Sequence, residues 1–286
     1  MVGLWLQNKV GPSLIVAIFL LAISSRWGKH LWQDQVENQY TPQQIRGLGL
    51  YLVGLITGIV TYLFFFVLDT TGSPSFVTRN KVQPSVLVKL QMYAKALPRV
   101  TFNMVIVNGV LALLSSLNPR NPLKVTTHEF PTAGTFVRDI LACLVIRDVT
   151  FFASHYAFHD ARIYKYFHKI HHEYTAPIAM ASSYAHWLEH VIANVIPIAI
   201  GPIVMHSHIL VACCFVILSA VETACVHSGY IVPLFENSLF HDYHHMRFNH
   251  CYGTSLGFMD WVFGTSPSIA ELQRQYVERH EKRKEN

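Results

Sequence analysis

Residues 47–68, GLGLYLVGLITGIVTYLFFFVL, run for 22 positions without a charged side chain. A helix of that length covers the roughly 30 Å of a bilayer's hydrocarbon, so the segment predicts a spanning helix. Residues 100–117, VTFNMVIVNGVLALLSSL, are shorter and carry two Asn, and predict another. Residues 10–24, VGPSLIVAIFLLAIS, read as an uncleaved first span. The alternative for them is the apolar core of a signal peptide, with AIS as its cleavage site. Thr135 to about Ala153 predicts a fourth helix that brings the chain back across. The run 191–226 is two apolar halves around HSH, and predicts a hairpin of two short or tilted helices entering and leaving on one side.

The expected fold is therefore an all-α integral membrane protein, with about four spanning helices, a short helical hairpin and a histidine-rich helical cap. Its parts divide at 1–134 (N-terminal membrane helices and loops), 135–270 (the histidine-box region) and 271–286 (a basic tail). Composition agrees: 51% of residues are hydrophobic and 14% charged, where soluble domains have about a quarter charged. The net charge of +5 is too diffuse to indicate nucleic acid. Five cysteines with no C-x-x-C pair exclude a disulfide framework and point to a reducing compartment.

Orientation follows from the basic residues. Arg79, Lys81, Lys89, Lys95 and Arg99 lie between the second and third spans and place that segment on the cytosol. Two further crossings return the chain there, so the histidine clusters and the C-terminus are expected to be cytosolic. The chain closes on KRKEN, a K-x-K-x-x ending that reads as a retrieval signal for the endoplasmic reticulum, or else as a solvated basic tail.

The candidate chemistry lies in the histidines. Twelve of 17 fall in or beside five short segments: SHYAFHD, FHKIHHEY, YAHWLEH, VHSGY and FHDYHH. His155 and His159 are four apart and share a helical face. His168, His171 and His172 stand at i, i+3 and i+4, and His241, His244 and His245 repeat that spacing; each trio is expected to share one face. Imidazole suits Fe, Zn, Cu or Ni. Eight to ten such ligands exceed what one ion takes, so two ions are implied. A pH sensor would not need this repeated spacing. Glu173, Glu189, Glu222 and Asp242 stand beside the boxes as partners that orient imidazoles. Arg147 and Asp148 either serve the same site or pair with each other. His30, His128, His206 and His208 are given no role.

The ordered pattern HKIHHEYTAP…YAHWLEH…HSGY…FHDYHHMRFNHCYG…DWVFGT resembles the fatty acid hydroxylase and sterol desaturase superfamily, and within it most the methylsterol monooxygenases and fatty acid hydroxylase domain-containing proteins. The matching motifs run from about Asp148 to Thr265. The resemblance implies an endoplasmic-reticulum protein with two irons on its cytosolic face, activating O2 with NAD(P)H-derived electrons relayed by cytochrome b5 and its reductase. Carried over by position, the ligands are His155, His159, His168, His171, His172, His227, His241, His244 and His245, with His186 added where relatives keep a YAHPLE-like stretch and this chain has Trp187 for Pro. His190 and His250 stand at the margin. Zinc is accepted by the same donors as iron.

The function expected is oxidation of a C–H bond in a membrane lipid, first the C-4 methyl group of a sterol intermediate. Hydroxylation or desaturation of a fatty acyl or sphingoid chain is the alternative within the class. Outside it stand a metal-ion transporter, which would hold its ligands near mid-membrane, and a catalytically silent lipid-binding relative. Phe151, Phe152, Tyr184 and Trp187 are candidate pocket aromatics, with plain packing as the alternative.

Overall fold

The computed structural model describes residues 10–232, 235 and 238–285. Among these the chain is helical, with two isolated bridges and no sheet. Helix α1 (Val10–Ser24) lays Ile15, Phe19 and Ile23 against Phe136, Val211 and Phe215. The chain then bends by 84° into α2 (Arg26–Glu37), where the Ser25 hydroxyl accepts the Gly28 N–H at 2.9 Å and caps the new helix. Helix α3 (Pro42–Thr71) opens with a Thr41–Gln44 capping box and Pro42 at its first position. It ends at Gly72, whose φ of 66° suits a residue without a side chain.

Four further long helices complete the bundle: α4 (Leu90–Leu117), α5 (Ala133–Phe158), α6 (Trp187–Val204) and α7 (Ile209–His227). Of these, α3, α4, α6 and α7 are long and apolar enough to cross a membrane. The chain is a multi-pass membrane protein. The expected hairpin around HSH is present as α6 and α7, but its helices are of spanning length rather than short, with 18 and 19 residues, each about 27 Å or more long. Helix α6 starts at Trp187, so its first turn draws on the polar box residues that sequence reading left outside the apolar run.

Helix α5 is not among those four, because it carries Arg138, Asp139, Arg147 and Asp148. Three of these are turned inward: Asp139, Arg147 and Asp148 are buried, while Val137, Leu141, Val145 and Val149 are exposed. It packs antiparallel on α6, where a side chain at Gly201 would lie 3.0 Å from the Cys143 backbone. At its start Asp139 accepts the Ser207 hydroxyl at 2.9 Å in the α6–α7 turn. Its far end carries His155, so α5 runs the same depth as its neighbours.

Helices α3, α5 and α7 all end on one side, and the segments 72–89 and 159–186 gather there. The Val82 N–H donates to Gly229 O at 2.8 Å, and Gln83 Nε2 donates to Asp242 Oδ1 at 2.6 Å. The basic stretch after α3 and the histidine boxes therefore share a side. Helices α8 (Leu239–Arg247), α9 (Phe258–Phe263) and α10 (Ile269–Glu285) follow. The expected tail is a helix, held to α8 by Arg279 Nη1 on Asp242 Oδ2 at 2.7 Å. The side chains of the closing KRKEN lie outside the described residues. A core of Phe65, Leu68, Ala96, Val100, Ala224 and Cys225 locks α3, α4 and α7 together directly beneath the boxes.

Candidate metal centre

Nine histidines converge into two groups. His155, His159, His168, His172 and His244 form the first, and His171, His227, His241 and His245 the second. Within each group the ligand atoms lie within 4.8 Å of one another. Imidazole nitrogens bind a first-row ion at about 2.0–2.1 Å, so opposite ligands stand about 4 Å apart, and the spacing fits.

The expectation that each H-x-x-H-H box presents one shared face is corrected. His168 and His172 join the first group, but His171 joins the second; His241 and His245 join the second, but His244 joins the first. On an α-helix, neighbouring residues point about 100° apart, so His244 and His245 diverge. The first box, His168–Glu173, is a 3-10 helix rather than an α-helix. Each box therefore bridges the two groups instead of belonging to one.

The fit to a cation can be read from the hydrogen-bond partners of the rings. A carbonyl oxygen only accepts, so a ring nitrogen bonded to one must carry the hydrogen. His155 Nδ1 donates to Tyr252 O at 2.8 Å, His244 Nδ1 to His250 O at 2.7 Å, and His227 Nδ1 to Thr223 O at 2.7 Å. Each neutral ring then presents Nε2 as a lone pair. Yet His155 Nε2 stands 3.2 Å from His168 Nε2, and His227 Nε2 stands 2.8 Å from His241 Nε2. With His155 Nδ1 donating to Tyr252 O and His168 Nδ1 to Glu189, the facing His155 and His168 Nε2 atoms are both lone pairs, and a Lewis acid between them would relieve their repulsion. Burial keeps the rings neutral: it pushes His171 down to about 4, and holds His241, His244 and His245 well below the usual histidine range.

Of the four flanking acids, Glu189 takes the orienting role, accepting from His168 Nδ1 at 2.6 Å. Glu173 meets Lys95 at 2.6 Å, and Asp242 meets Arg279 and Gln83. Arg147 and Asp148 do not pair with each other. Arg147 Nη1 donates to Glu222 Oε2 at 2.5 Å, and Asp148 Oδ1 accepts the Thr254 hydroxyl at 2.6 Å.

His186 is not brought into either group. Its Nδ1 accepts the Leu188 N–H at 3.2 Å as the cap of α6, and its ring meets Phe167 edge-on. His190 points instead to Asn108, with Nε2 and Oδ1 3.0 Å apart. The His250 ring pairs with Asn249, and only its backbone oxygen serves the site. The orienting carbonyls of Thr223, His250 and Tyr252 escaped sequence reading, because backbone groups leave no side-chain signal. Two of them depend on Phe248, whose φ of 65° ends α8 in the left-handed region and folds the chain back over its own histidines.

Residues 140–265 match the fatty acid hydroxylase family model. Human fatty acid hydroxylase domain-containing protein 2 is 35% identical over 273 residues, which cover 89% of this chain and 78% of that protein. The chain belongs to the fatty acid hydroxylase family. Methylsterol monooxygenase 1 of Gallus gallus is 28% identical over 276 residues, 90% of this chain and 89% of that one. A fatty acid hydroxylase of Mycosarcoma maydis is 37% identical over 206 residues, 72% of this chain and 54% of its own. No solved structure matches. In this family member the matched region takes in both histidine groups and the return loop whose carbonyls orient them.

Proposed function

We propose that this fatty acid hydroxylase family member is a membrane oxidoreductase that oxidises an unactivated C–H bond of a lipid, the C-4 methyl group of a sterol intermediate. The observation that carries this reading is a cavity of about 530 Å³ inside the helix bundle. Leu55, Gly58, Leu111, Ile198, Val216 and Ala220 line its apolar walls. At one end it meets His155 and His168 of the first group and His171, His227 and His241 of the second. Pockets for small molecules run to about 300–1,000 Å³ and are mostly apolar with a few polar groups. A lipid entering between the helices would bring one end to both groups.

The nine histidines are proposed to hold two ions, iron in the working enzyme, with zinc an occupant the same donors accept. Iron held there would supply the activation of dioxygen that a saturated carbon requires, since such a carbon offers side chains no acidic proton and no leaving group. The chain's own task is placement. The Glu189 carboxylate and the carbonyls of Thr223, His250 and Tyr252 fix which nitrogen of His168, His227, His244 and His155 faces inward. The apolar walls exclude water and align the substrate. The His186 ring, outside both histidine groups, packs between Phe167 and Trp187.

Electrons derived from NAD(P)H are proposed to arrive through cytochrome b5 and its reductase on the side that carries the boxes. The positive charges of segment 72–89 favour the cytosol for that side, in the endoplasmic reticulum membrane. The metal-transport alternative is disfavoured by the placement of the histidines at helix ends: His155 in the last turn of α5 and His227 at the last residue of α7.

Sterol profiling of cells lacking the protein tests the reading. 4-Methylsterols should accumulate, and return to normal with the wild-type chain but not with His244→Ala. Unchanged sterols with altered hydroxylated acyl or sphingoid chains would reassign the substrate.

A further inference from the structure

Residues 251–265 close into a compact loop around one buried carboxylate. Asp260 Oδ1 accepts the Tyr252 N–H at 2.8 Å and the Thr265 hydroxyl at 2.6 Å, and Oδ2 accepts the Gly253 N–H at 2.7 Å. Cys251 N–H donates to Thr265 O at 3.0 Å and joins the two ends. The tip of the loop does not stay level with the histidines. The N–H and hydroxyl of Thr254 donate to Asp148 Oδ1 at 3.1 and 2.6 Å, and the Met259 N–H donates to Asp148 Oδ2 at 2.9 Å. The N–H of Ser255 donates to Glu222 Oε1 at 3.2 Å, and its hydroxyl bonds the same oxygen. Asp148 lies seven residues before His155 on α5, about 10 Å deeper along the helix, and Glu222 lies five before His227 on α7, about 7 Å deeper.

Two independent features show what surrounds this tip. The first is the accounting of its backbone donors. Every N–H from Cys251 to Gly257 has an intramolecular acceptor, most of them carboxylate or hydroxyl oxygens. An irregular segment in water has no need of that, whereas one at membrane depth must satisfy its polar backbone from within the protein. The second is the outer face. Asp260 is buried, but Leu256, Phe258, Trp261, Val262 and Phe263 are exposed, Trp261 at 73%. The patch adjoins the exposed apolar stripe of α5 (Val137, Leu141, Val145, Val149), and Phe263 stacks on Phe152 of that helix with ring centroids 5.0 Å apart.

We propose that residues 254–263 form a re-entrant segment inserted into the lipid leaflet on the histidine side, with Leu256, Phe258, Trp261, Val262 and Phe263 against lipid. The buried charges of α5 and α7 then have a purpose besides the metal centre: Asp148 and Glu222 are acceptors for the tip of a loop that has no water to bond. The same loop carries Tyr252 O, the acceptor for His155 Nδ1, so its seating in the bilayer also sets the orientation of one candidate ligand.

The test is a depth measurement on the full chain in phosphatidylcholine nanodiscs, with single nitroxide labels at Val262→Cys and Leu256→Cys. Glu278→Cys on α10 reports water and Leu141→Cys on α5 reports lipid, with the label background of the wild-type cysteines subtracted. Both loop labels should collide with dissolved oxygen as the Leu141→Cys label does, and several-fold less often with a water-soluble nickel complex than the Glu278→Cys label. Equal nickel collision rates at 262, 256 and 278 would overturn the insertion. Unchanged bound metal in each variant, relative to wild type, establishes that the loop is native. The readout needs neither substrate nor turnover, so it stands or falls apart from the proposed reaction.

Discussion

His155 and Tyr252 are 97 residues apart in the chain, yet the ring Nδ1–H of one donates to the backbone oxygen of the other at 2.8 Å. The bond decides a tautomer: it leaves His155 Nε2 unprotonated and facing the other four rings of its group. His244 repeats the arrangement through His250 O, two residues earlier on the same return strand of chain. One irregular loop thus sets two rings of the first group.

His244 links the boxes most directly, since its ring belongs to the first group while its neighbours His241 and His245 belong to the second. His244→Ala is expected to lower bound metal per chain, with a loss of turnover beyond the roughly 100-fold that outer partners of ligands reach. Elemental analysis of purified protein checks the first part. Metal retained at the wild-type level would count against His244 as a ligand.

Glu189 is buried, and one of its oxygens holds His168 while the other, Oε2, has no partner. Glu189→Gln keeps an acceptor of the same shape but removes the charge that strengthens the imidazole as a donor to metal. Metal affinity or activity should fall by about tenfold, toward the lower end of what such outer partners contribute, and Glu189→Ala should fall further, to about 100-fold. Metal competition titrations distinguish the two. Equal effects from both variants would argue that charge alone matters at this position.

Asp260 accepts three donors at once, from Tyr252, Gly253 and Thr265. An amide in its place must turn an NH2 toward at least one N–H or hydroxyl that needs an acceptor. Asp260→Asn should therefore cost about 1–3 kcal/mol, the price of a buried donor left unmatched. Thermal unfolding in detergent checks this; an unshifted midpoint would show that the loop closes without that carboxylate.

Ala220 lines the cavity on α7, seven residues before His227. Ala220→Phe puts a ring into the space assigned to substrate while leaving both histidine groups intact. Activity on a bulky lipid should fall at least about tenfold, equivalent to about 1.4 kcal/mol of lost transition-state stabilisation, with bound metal unchanged. Activity preserved at full rate would place the substrate elsewhere.

Much of this was legible along the chain. The uncharged run 47–68 and the mixed run 100–117 both lie within long helices, α3 and α4, because burying backbone in lipid leaves helix as the one open choice for a single segment. The histidine spacings 155/159 and 241/245 led correctly to rings that meet. The spacing rule failed for His171 and His244, since residues three apart are neighbours on a helix without pointing to the same atom. The resemblance, not spacing, put His186 among the ligands, and its ring instead caps α6. Helix α5 looked like an ordinary span interrupted by charge; only its packing shows that Asp139, Arg147 and Asp148 face partners inside the bundle.

The sequence by itself determined the helical membrane fold, the number of imidazoles and their grouping into boxes, because hydrocarbon thickness and helical periodicity act on consecutive residues. Only the tertiary structure decided how nine rings divide into two groups, which nitrogen of His168, His227, His244 and His155 faces inward, and that a short loop near the C-terminus reaches down to Asp148 and Glu222. Those outcomes depend on backbone carbonyls and on helices brought together from distant parts of the chain, and neither leaves a periodic trace in the order of side chains.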